Sequence, residues 1–370
     1  MKKDMPSTMI PLNVVQFEET KKYSPDYVRI SAASAMALRL KSGRFSRDFK
    51  FGGINLLLNY EDGCKSDCGY CGLARTRPGN YEDQSFIRVD WPLYDTDTVI
   101  DRVARYEENM TRLCISMVTH GSAYKDTLDI TERIAKKVKT PLSLLVAPPT
   151  LNRSRLEILK EAGADMIGVG LDAVSERVFF DRRTNVPNGS LKWSNYWDII
   201  EASRDIYGPW KVNIHTVVGL GETDKELVDI FYQLRDNEIL AYLFSFNPEP
   251  DSRMGNYPRA TITRWRRIQL VKHMIEKYDL KRDKIDFDDQ GNMIKLKDNN
   301  FETNQFLQTL DNGTPFETGG CPSADGEPGC TRPYGSYRPS ESFRDFPFTP
   351  EDDDLKLIRE ELNMQDLFKG

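Results

Sequence analysis

The sequence has no long apolar run. None of the apolar stretches in its 370 residues approaches the roughly 20 residues that a membrane-spanning helix needs. The chain starts with MKKDMPSTMIPLNVVQ, which lacks the continuous apolar core of a secretory signal. We therefore expect a cytoplasmic protein.

A concentrated positive charge is also absent. The net charge is −6, and the 51 Lys and Arg residues are scattered rather than arranged in a stripe. Because nucleic-acid-binding proteins usually present a basic face, we expect a small-molecule or protein-borne substrate and no nucleic-acid partner. The content of 39% hydrophobic and 29% charged residues is that of a globular protein with one large core.

Cysteine is scarce, with six residues in the chain. The cytoplasm keeps thiols reduced, so three structural disulfides are not expected there. Three of the cysteines, Cys64, Cys68 and Cys71, are clustered in one short segment. Clustered cysteines in a cytoplasmic protein indicate metal ligation or catalysis.

Strand-like and helix-like segments alternate along the middle of the chain. Short apolar runs predict strands at residues 54–58, 112–118, 142–146, 166–171, 211–218 and 241–246. Apolar residues at helical spacing predict helices at residues 96–110, 127–138, 152–162, 193–206, 224–235 and 261–277. This alternation predicts an α/β fold in which parallel strands are joined by right-handed crossovers. We expect a full or partial (β/α) TIM-type barrel with its active face at the carboxyl ends of the strands.

Three regions are expected along the chain. They are an N-terminal helical extension at residues 1–50, the barrel at residues 51–280 and an irregular C-terminal segment at residues 281–370. The extension contains an amphipathic run at residues 31–40, and the C-terminal segment begins with a small predicted hairpin at residues 286–300.

The C-terminal segment has its own cysteine pair. Residues 314–339 are rich in Gly and Pro, poor in apolar residues, and contain Cys321 and Cys330. Such a stretch needs a ligand or a packing surface to be ordered. We expect it to cover the mouth of the barrel with its cysteine pair.

The clustered cysteines lie in the sequence GCKSDCGYC, directly after the first predicted strand. Thiolates are soft ligands that suit iron–sulfur clusters or zinc. Closed structural zinc sites need four protein ligands, whereas this loop offers three and leaves one coordination position open. The alternatives are a zinc knuckle and a chance cluster.

The CxxxCxxC spacing, with the aromatic Tyr70 directly before the third cysteine, resembles the signature of the radical S-adenosylmethionine superfamily. The resemblance implies that Cys64, Cys68 and Cys71 hold a 4Fe-4S cluster whose open iron binds S-adenosyl-L-methionine. It also implies a 5′-deoxyadenosyl radical that takes hydrogen from an unactivated C–H bond. An electron donor such as ferredoxin or flavodoxin would then be a partner.

The same resemblance suggests contacts to the cosubstrate. Tyr70 belongs to the cysteine motif, and His120 and Gly121 follow the second predicted strand, where the superfamily carries a segment that binds the methionyl amino group. The acidic residue of that segment is absent here. A solvated or hydrogen-bonded histidine is the alternative for His120.

Three further residues follow later strands. Asp172 ends the fourth predicted strand, where the superfamily holds the ribose hydroxyls; its alternative is a helix N-cap. Arg183 is a candidate partner for the methionyl carboxylate, because a guanidinium matches a carboxylate, or it is a surface residue. Gly219 lies in VVGLGET, which is similar to a stretch of biotin synthase where glycines let the backbone approach the adenine.

The remaining cysteines suggest a second metal site. Cys114 lies on the second predicted strand and is similar in position to a biotin synthase cysteine that ligates an auxiliary cluster. Two other auxiliary cysteines of that enzyme are missing here. We expect Cys321 and Cys330 to join Cys114 around an auxiliary 4Fe-4S cluster, with Ser336 or Arg332 as the fourth ligand. The alternatives are a small buried residue for Cys114 and a zinc clip or free thiols for the pair.

An auxiliary cluster of this kind implies sulfur insertion into the substrate. Over residues 31–277 and the tail GCPSADGEPGCTRPYG, the chain looks most like the two-component lipoyl synthases. The resemblance implies a radical sulfurtransferase of lipoate biosynthesis, an octanoylated lipoyl carrier protein or peptide as substrate, and a second radical enzyme subunit as a possible partner. The basic run Arg264, Trp265, Arg266 and Arg267 could dock an acidic carrier, or it is a solvated helix face.

Three other functions remain open from the sequence. The first is a radical enzyme with one cluster, of the biotin synthase, methylornithine synthase or hydrogenase maturase type, without sulfur insertion. The second is an iron–sulfur electron carrier that binds no S-adenosylmethionine. The third is a zinc-stabilised binding protein on a barrel scaffold.

Overall fold

An open sheet of eight strands forms the centre of the protein. The computed structural model describes residues 21–81, 84, 89–185, 191–297 and 310–363. The strands of this sheet are β1 (Tyr27–Ile30), β2 (Gly53–Leu58), β3 (Leu93–Asp95), β4 (Arg112–Ser116), β5 (Leu142–Val146), β6 (Met166–Asp172), β7 (Val212–Val218) and β8 (Leu240–Ser245). A separate hairpin, as predicted near residue 290, pairs β9 (Ile285–Phe287) with β10 (Met293–Leu296). The α-helices of the described residues are α1 (Ala32–Ala37), α2 (Thr96–Arg105), α3 (Ala123–Ala135), α4 (Arg153–Glu161), α5 (Glu176–Phe179), α6 (Trp193–Tyr207), α7 (Asp224–Asp236), α8 (Ile262–Tyr278) and α9 (Asp352–Leu362).

The strand order within the sheet is β3-β1-β2-β4-β5-β6-β7-β8. From β2 to β8 every neighbouring pair is parallel. Because parallel neighbours need a crossover connection, a helix lies between each pair in the chain. Within the part of the chain that the structure describes, β3 and β8 do not pair with each other. The predicted α/β barrel is therefore confirmed in its partial, open form.

The predicted strands and helices of the barrel are all confirmed, with their ends shifted by a few residues. The strands were recognisable because both of their faces are covered, which favours continuous apolar runs; Ile54, Ile115 and Val169 are fully buried. Helix α7 begins with a capping box formed by Thr223 and Glu226. None of the described helices is long and apolar enough to cross a membrane.

The N-terminal region contributes to the sheet. Residues 1–20 of the predicted extension lie outside the described residues. The described part contains β1, which pairs antiparallel with β2 and β3. The amphipathic run at residues 31–40 contains the short helix α1, which is capped by the hydroxyl of Ser31. This region therefore combines a strand with a helix, because its apolar run YVRI fills the edge beside β2.

The C-terminal segment reaches both ends of the barrel. Its turn between Cys321 and Cys330 is closed by the Cys330 N–H, which donates to the Cys321 carbonyl at 3.0 Å. The turn packs at the amino ends of the strands, where the Thr111 hydroxyl donates to the Gly329 carbonyl at 2.6 Å. The predicted position of this cysteine pair over the barrel mouth is therefore wrong. The pair lies at the opposite end, because the Gly-rich turn packs closely against Gly53 at the start of β2.

The basic run of α8 is part of the protein interior. Trp265 and Arg266 are fully buried. Arg266 donates to Glu361 of α9 at 2.7 Å and to two backbone carbonyls of the C-terminal segment. Arg264 forms salt bridges with two carboxylates at the start of α7, and Arg267 donates to carbonyls at the end of α9. The alternative of a solvated helix face is therefore wrong, because all four side chains hold the C-terminal segment or α7 in place.

Replacing Arg266 with Met should lower the free energy of unfolding of the metal-free protein by about 3–5 kcal/mol, because Glu361 would become an unpaired, largely buried carboxylate. Urea unfolding followed by circular dichroism measures this change. Arg153→Met is the matched control: Arg153 pairs with Asp205 at 3.1 Å but both are exposed, so the loss should stay below about 1 kcal/mol. Similar losses in the two variants would contradict the structural role of Arg266.

Candidate functional site

The loop after β2 carries the clustered cysteines. Cys68 is buried, and Cys64 and Cys71 are half-buried. The Lys65 N–H donates to the carbonyl of Thr119, beyond the end of β4, at 2.7 Å. The loop therefore lies across the carboxyl ends of two neighbouring strands, which is the predicted position of the active face.

Asp67 and Arg253 join the cysteine loop to the segment after β8. The guanidinium of Arg253 donates to the carboxylate and to the main-chain carbonyl of Asp67. The same carboxylate accepts hydrogen bonds from the hydroxyl and the N–H of Thr76, at 2.7 and 3.1 Å. Burial opposes ionisation of Asp67, but the hydrogen bonds from Thr76 and Arg253 outweigh it and lower the pKa of the carboxyl. The loop is thus held by an ionic contact between a buried carboxylate and a partly exposed guanidinium.

The thiols of the loop suit an iron–sulfur cluster. Burial raises the pKa of Cys64 and raises that of Cys71 well above its usual value, and the neighbouring Cys68 adds to both shifts. Thiolates in such a site need a compensating positive charge, which iron supplies. Among the described residues, no three His, Cys, Asp or Glu side chains are close enough to share one metal ion. Iron–sulfur clusters are held by cysteine thiolates, and the three thiols of the loop are donors of that type.

A cavity of about 210 Å³ opens beside the cysteine loop. Tyr70, Asp172 and Arg183 line it together with the three cysteines of the loop. The segment after β8 adds Asn247, whose buried Nδ2 has no hydrogen-bond partner among the described residues. Three of the predicted cosubstrate residues and one amide that the sequence did not mark thus lie at one cavity.

Asp172 is the centre of a polar network in this cavity. Burial raises the pKa of Tyr70 well above its usual value, so its hydroxyl stays protonated and donates to Asp172. Arg183 is buried, lies 3.8 Å from the Asp172 carboxylate, and donates to the Tyr196 hydroxyl at 2.9 Å. Asp172 has a φ of 61°, which is uncommon for a residue other than glycine. The alternative that Asp172 caps a helix is wrong, because Ser175 caps α5.

The other predicted cosubstrate residues do not line this cavity. His120 stacks on Tyr60 at 3.8 Å between ring centroids, and its Nε2 lies 3.1 Å from the Asp62 carboxylate. Gly121 is exposed before α3. Gly219 has a φ of 112° and forms the turn after β7, where its N–H donates to the buried carboxylate of Glu222. The side chain of His120 and the N–H of Gly219 thus contact other residues of the protein.

A second cavity, of about 70 Å³, lies deeper in the barrel. Cys114, Cys321 and Cys330 line it, so the structure brings together the three cysteines that were predicted to share a site. Burial raises the pKa of Cys114 to about 12, with the other two thiols adding to the shift, and raises that of Cys330 to about 11. Like the first group, these thiols would need a metal to be held as thiolates.

The two predicted fourth ligands differ in position. Ser336 is fully buried near the carboxyl end of β8, where its hydroxyl donates to Asp345 at 2.8 Å and accepts from the Ser245 N–H at 3.2 Å. It does not line the second cavity, so its predicted ligand role is wrong. Arg332 lines that cavity and stacks on Phe244 at 3.9 Å. Its buried Nε and Nη1 have no hydrogen-bond partner in the described part of the chain.

The inner residues of the barrel are arranged in three layers. Every second residue of a strand faces the interior. The residues that line only the second cavity include Asn55, Cys114, Ser143 and Tyr242. The residues that line both cavities are Leu145, His215, Phe244 and Gly335. The residues that line only the first cavity include Ala147, Val217 and Phe246. One layer of side chains therefore separates the two groups of thiols.

His215 belongs to the shared layer and was not marked by any sequence motif. Its ring lies between Phe244 and Tyr242, at 4.9 and 6.2 Å between ring centroids. Burial, together with the positive charge of Arg332, lowers the pKa of His215 to about 3. The alternation of Asn213, His215 and Val217 along β7 is the one signal that could have revealed an inward-facing histidine.

The sequence of the barrel matches a known family. Residues 58–233 match the model of the Radical SAM superfamily. The biotin synthase of Saccharopolyspora erythraea is 23% identical over 214 residues, which cover 57% of this chain and 56% of that protein. The biotin synthase of Cutibacterium acnes is 24% identical over 246 residues, which cover 62% of this chain and 63% of that protein. The chain thus spans between half and two thirds of the length of these relatives.

Solved structures with a related shape include methylornithine synthase, with a TM-score of 0.47, 10% identity, and coverage of 91% of this chain and 88% of that chain. Another is the FeFe-hydrogenase maturase HydG from Carboxydothermus hydrogenoformans. Its TM-score is 0.43, with 15% identity, and the match covers 66% of this chain and 55% of that chain.

Replacing Arg253 with Met should increase hydrogen exchange of the cysteine-loop amides about tenfold, which corresponds to about 1.4 kcal/mol, because the buried carboxylate of Asp67 loses its cation. Exchange followed by mass spectrometry on the metal-free protein measures this change. Arg259→Met is the matched control: Arg259 forms a comparable ion pair with Glu341 at 3.1 Å, away from the loop, so loop exchange should stay unchanged. Unchanged exchange in the Arg253 variant would show that this contact does not hold the loop.

Proposed function

The chain belongs to the radical SAM superfamily through residues 58–233, and on that premise we propose that it is a radical S-adenosylmethionine enzyme that inserts sulfur into its substrate. The finer proposal is a lipoyl synthase-like activity on an octanoyl chain carried by a lipoyl carrier protein. Both proposals rest on one observation. Three cysteines, Cys114, Cys321 and Cys330, line a cavity that shares a wall with the cavity at the cysteine loop.

The first cavity offers groups for the cosubstrate. Its three cysteines would hold a 4Fe-4S cluster, which together with S-adenosylmethionine supplies a 5′-deoxyadenosyl radical. The carboxylate of Asp172, held by the Tyr70 hydroxyl, is an acceptor for ribose hydroxyls. The buried Nε of Arg183 has no hydrogen-bond partner within the described residues, so one donor of the guanidinium remains available for a carboxylate.

The wall shared by the cavities supports an apolar substrate. Leu145, Phe244 and the backbone of Gly335 form most of it. Such a wall favours an alkyl segment over a charged group, because burying a charge without a partner costs far more than burying methylene groups. It also keeps water away from a reactive carbon. An octanoyl chain has this chemistry along its whole length.

The second group of thiols supports a sulfur source. The curated relatives are named biotin synthases. Two auxiliary cysteines of that enzyme type are missing here, one on β5 and one on β7. On β7 the side-chain amide of Asn213 donates to the Cys321 sulfur at 3.5 Å. Cys321 thus lies beside one of the two strand positions that lack a cysteine. A cluster ligated partly by the tail is the form of auxiliary site that these contacts favour.

The partners belong to the same proposal. An octanoyl-lysine arm on a carrier domain would deliver the chain, ferredoxin or flavodoxin would supply the electron, and a second radical SAM subunit would share the assembly of the lipoyl group. The carrier would need a docking surface other than the basic run of α8, because Trp265 and Arg266 are buried there.

One observation favours a different function. Cys321 and Cys330 are buried free thiols in the structure, which suits an enzyme with a single cluster and without sulfur insertion. In such an enzyme of the methylornithine synthase or hydrogenase maturase type, Cys114, Cys321 and Cys330 would be buried thiols that bind no metal.

Iron content should separate these two functions. After anaerobic reconstitution, a Cys64→Ala/Cys68→Ala/Cys71→Ala variant should keep about one 4Fe-4S cluster, and adding Cys321→Ala and Cys330→Ala should remove it. Iron, acid-labile sulfide and EPR measure the result. A triple variant without iron would refute the auxiliary cluster and favour the single-cluster enzyme.

Replacing only Cys321 and Cys330 with Ala should separate radical formation from sulfur insertion. Because the cysteine loop is intact, the variant should still cleave S-adenosylmethionine to 5′-deoxyadenosine, but an octanoyl-lysine peptide should gain no sulfur. Mass spectrometry of the nucleoside and of the peptide gives both readouts. Ser323→Ala, in the same turn as the two cysteines, is the matched control and should still form thiolated peptide. Thiolation by the double cysteine variant would rule out these thiols as ligands of the sulfur source.

A further inference from the structure

We propose that His215 is the fourth ligand of the second cluster and completes the set formed by Cys114, Cys321 and Cys330. The inference rests on the proposed auxiliary cluster. Its basis is the position of the His215 ring on the wall of the cavity that the three thiols line, and the chemistry that this ring offers there.

The register of β7 brings His215 to this site. The side chains of Asn213 and His215 point to the same face, because successive residues of a strand alternate. The amide of Asn213 donates to the Cys321 sulfur at 3.5 Å, which fixes the level of the thiol on this strand. His215 is two residues further, about 6.7 Å along the strand, and lines the same cavity. The imidazole of His215 and the thiol of Cys321 thus reach that cavity from two separate positions. Ligands to different iron atoms of one cluster need such a separation.

The ring nitrogens of His215 are available as ligands. The side chain of His215 forms no hydrogen bond with any residue that the structure describes, and its ring lies near the rings of Tyr242 and Phe244. His215 is half-buried, and its ring borders both cavities. A metal at the second cavity would give one ring nitrogen of His215 the partner that the protein does not provide.

Arg332 is the competing ligand, and its chemistry suits a different role. A guanidinium keeps its protons and offers donors but no lone pair, whereas a neutral imidazole is a common metal ligand and replaces cysteine in some iron–sulfur centres. Arg332 is also held in place by stacking on Phe244 at 3.9 Å and by its bond to the Gly319 carbonyl. Its buried Nε and Nη1 would donate hydrogen bonds to cluster or thiolate sulfur and balance their negative charge.

Nitrogen hyperfine spectroscopy tests the assignment without any turnover. The Cys64→Ala/Cys68→Ala/Cys71→Ala variant isolates the second cluster, and its reduced form is prepared once with ¹⁵N-labelled histidine and once with ¹⁵N-labelled arginine. We expect coupling to ¹⁵N only in the histidine-labelled protein. Coupling in the arginine-labelled protein, or no nitrogen coupling in either, would overturn the proposal.

Substitutions in the same background identify the histidine. His215→Cys should keep the iron content, lose the nitrogen coupling and lower the reduction potential, because a thiolate replaces a neutral ligand. Tyr242→Phe, which changes the neighbouring ring but removes no proposed ligand, is the matched control and should keep the coupling. Coupling that persists in His215→Cys would refute the assignment. A triple variant without iron would refute the auxiliary cluster itself, whereas iron without histidine coupling refutes only the role of His215.

Discussion

The alternation of side chains along parallel strands decides what the interior of this barrel contains. On β7 it turns Asn213, His215 and Val217 inward, at three successive levels. The lowest level meets the buried thiols, the middle level is apolar except for His215, and the highest level faces the cysteine loop. The neighbouring strand repeats this order: Tyr242 lines the second cavity, Phe244 lines both cavities, and Phe246, directly after β8, lines the first. Two groups of thiols therefore share one interior while a single layer of side chains separates them.

The open edge of the sheet gives the C-terminal segment its place. Between β3 and β8 the described strands do not pair, and the segment packs beside β8, where Arg332 stacks on Phe244 and Ser336 binds the Ser245 N–H. Its Gly- and Pro-rich turn has little apolar surface of its own. The turn is ordered by backbone contacts at the strand starts, and the buried Arg266 holds the following residues. The basic run of α8 and the strand starts therefore both hold the C-terminal segment against the barrel, and this position brings Cys321 and Cys330 to the interior.

Local patterns predicted the parts of the site that lie within one segment or at strand ends. The cysteine loop and Tyr70 follow from the spacing within one motif, whereas Asp172 and Arg183 were predicted from the resemblance to the superfamily. Arg253 was not predictable, because its partner Asp67 is 186 residues away and no motif joins them. His120 was predicted at the cavity, but stacking on Tyr60 and contact with Asp62 hold it elsewhere. Such competition between partners has no signature in a single sequence.

By itself, the sequence determined the parallel αβ alternation, the cysteine loop, and the presence of Cys321 and Cys330 in one short turn. Each of these is set by periodicity or spacing over a few residues. Only the tertiary structure decided that this turn packs at the amino ends of the strands, that Cys114 and His215 face the same cavity, and that Ser336 and the basic run of α8 are committed elsewhere. These outcomes depend on packing between segments that are distant in the chain, where the energy of burial and hydrogen bonding outweighs any local preference.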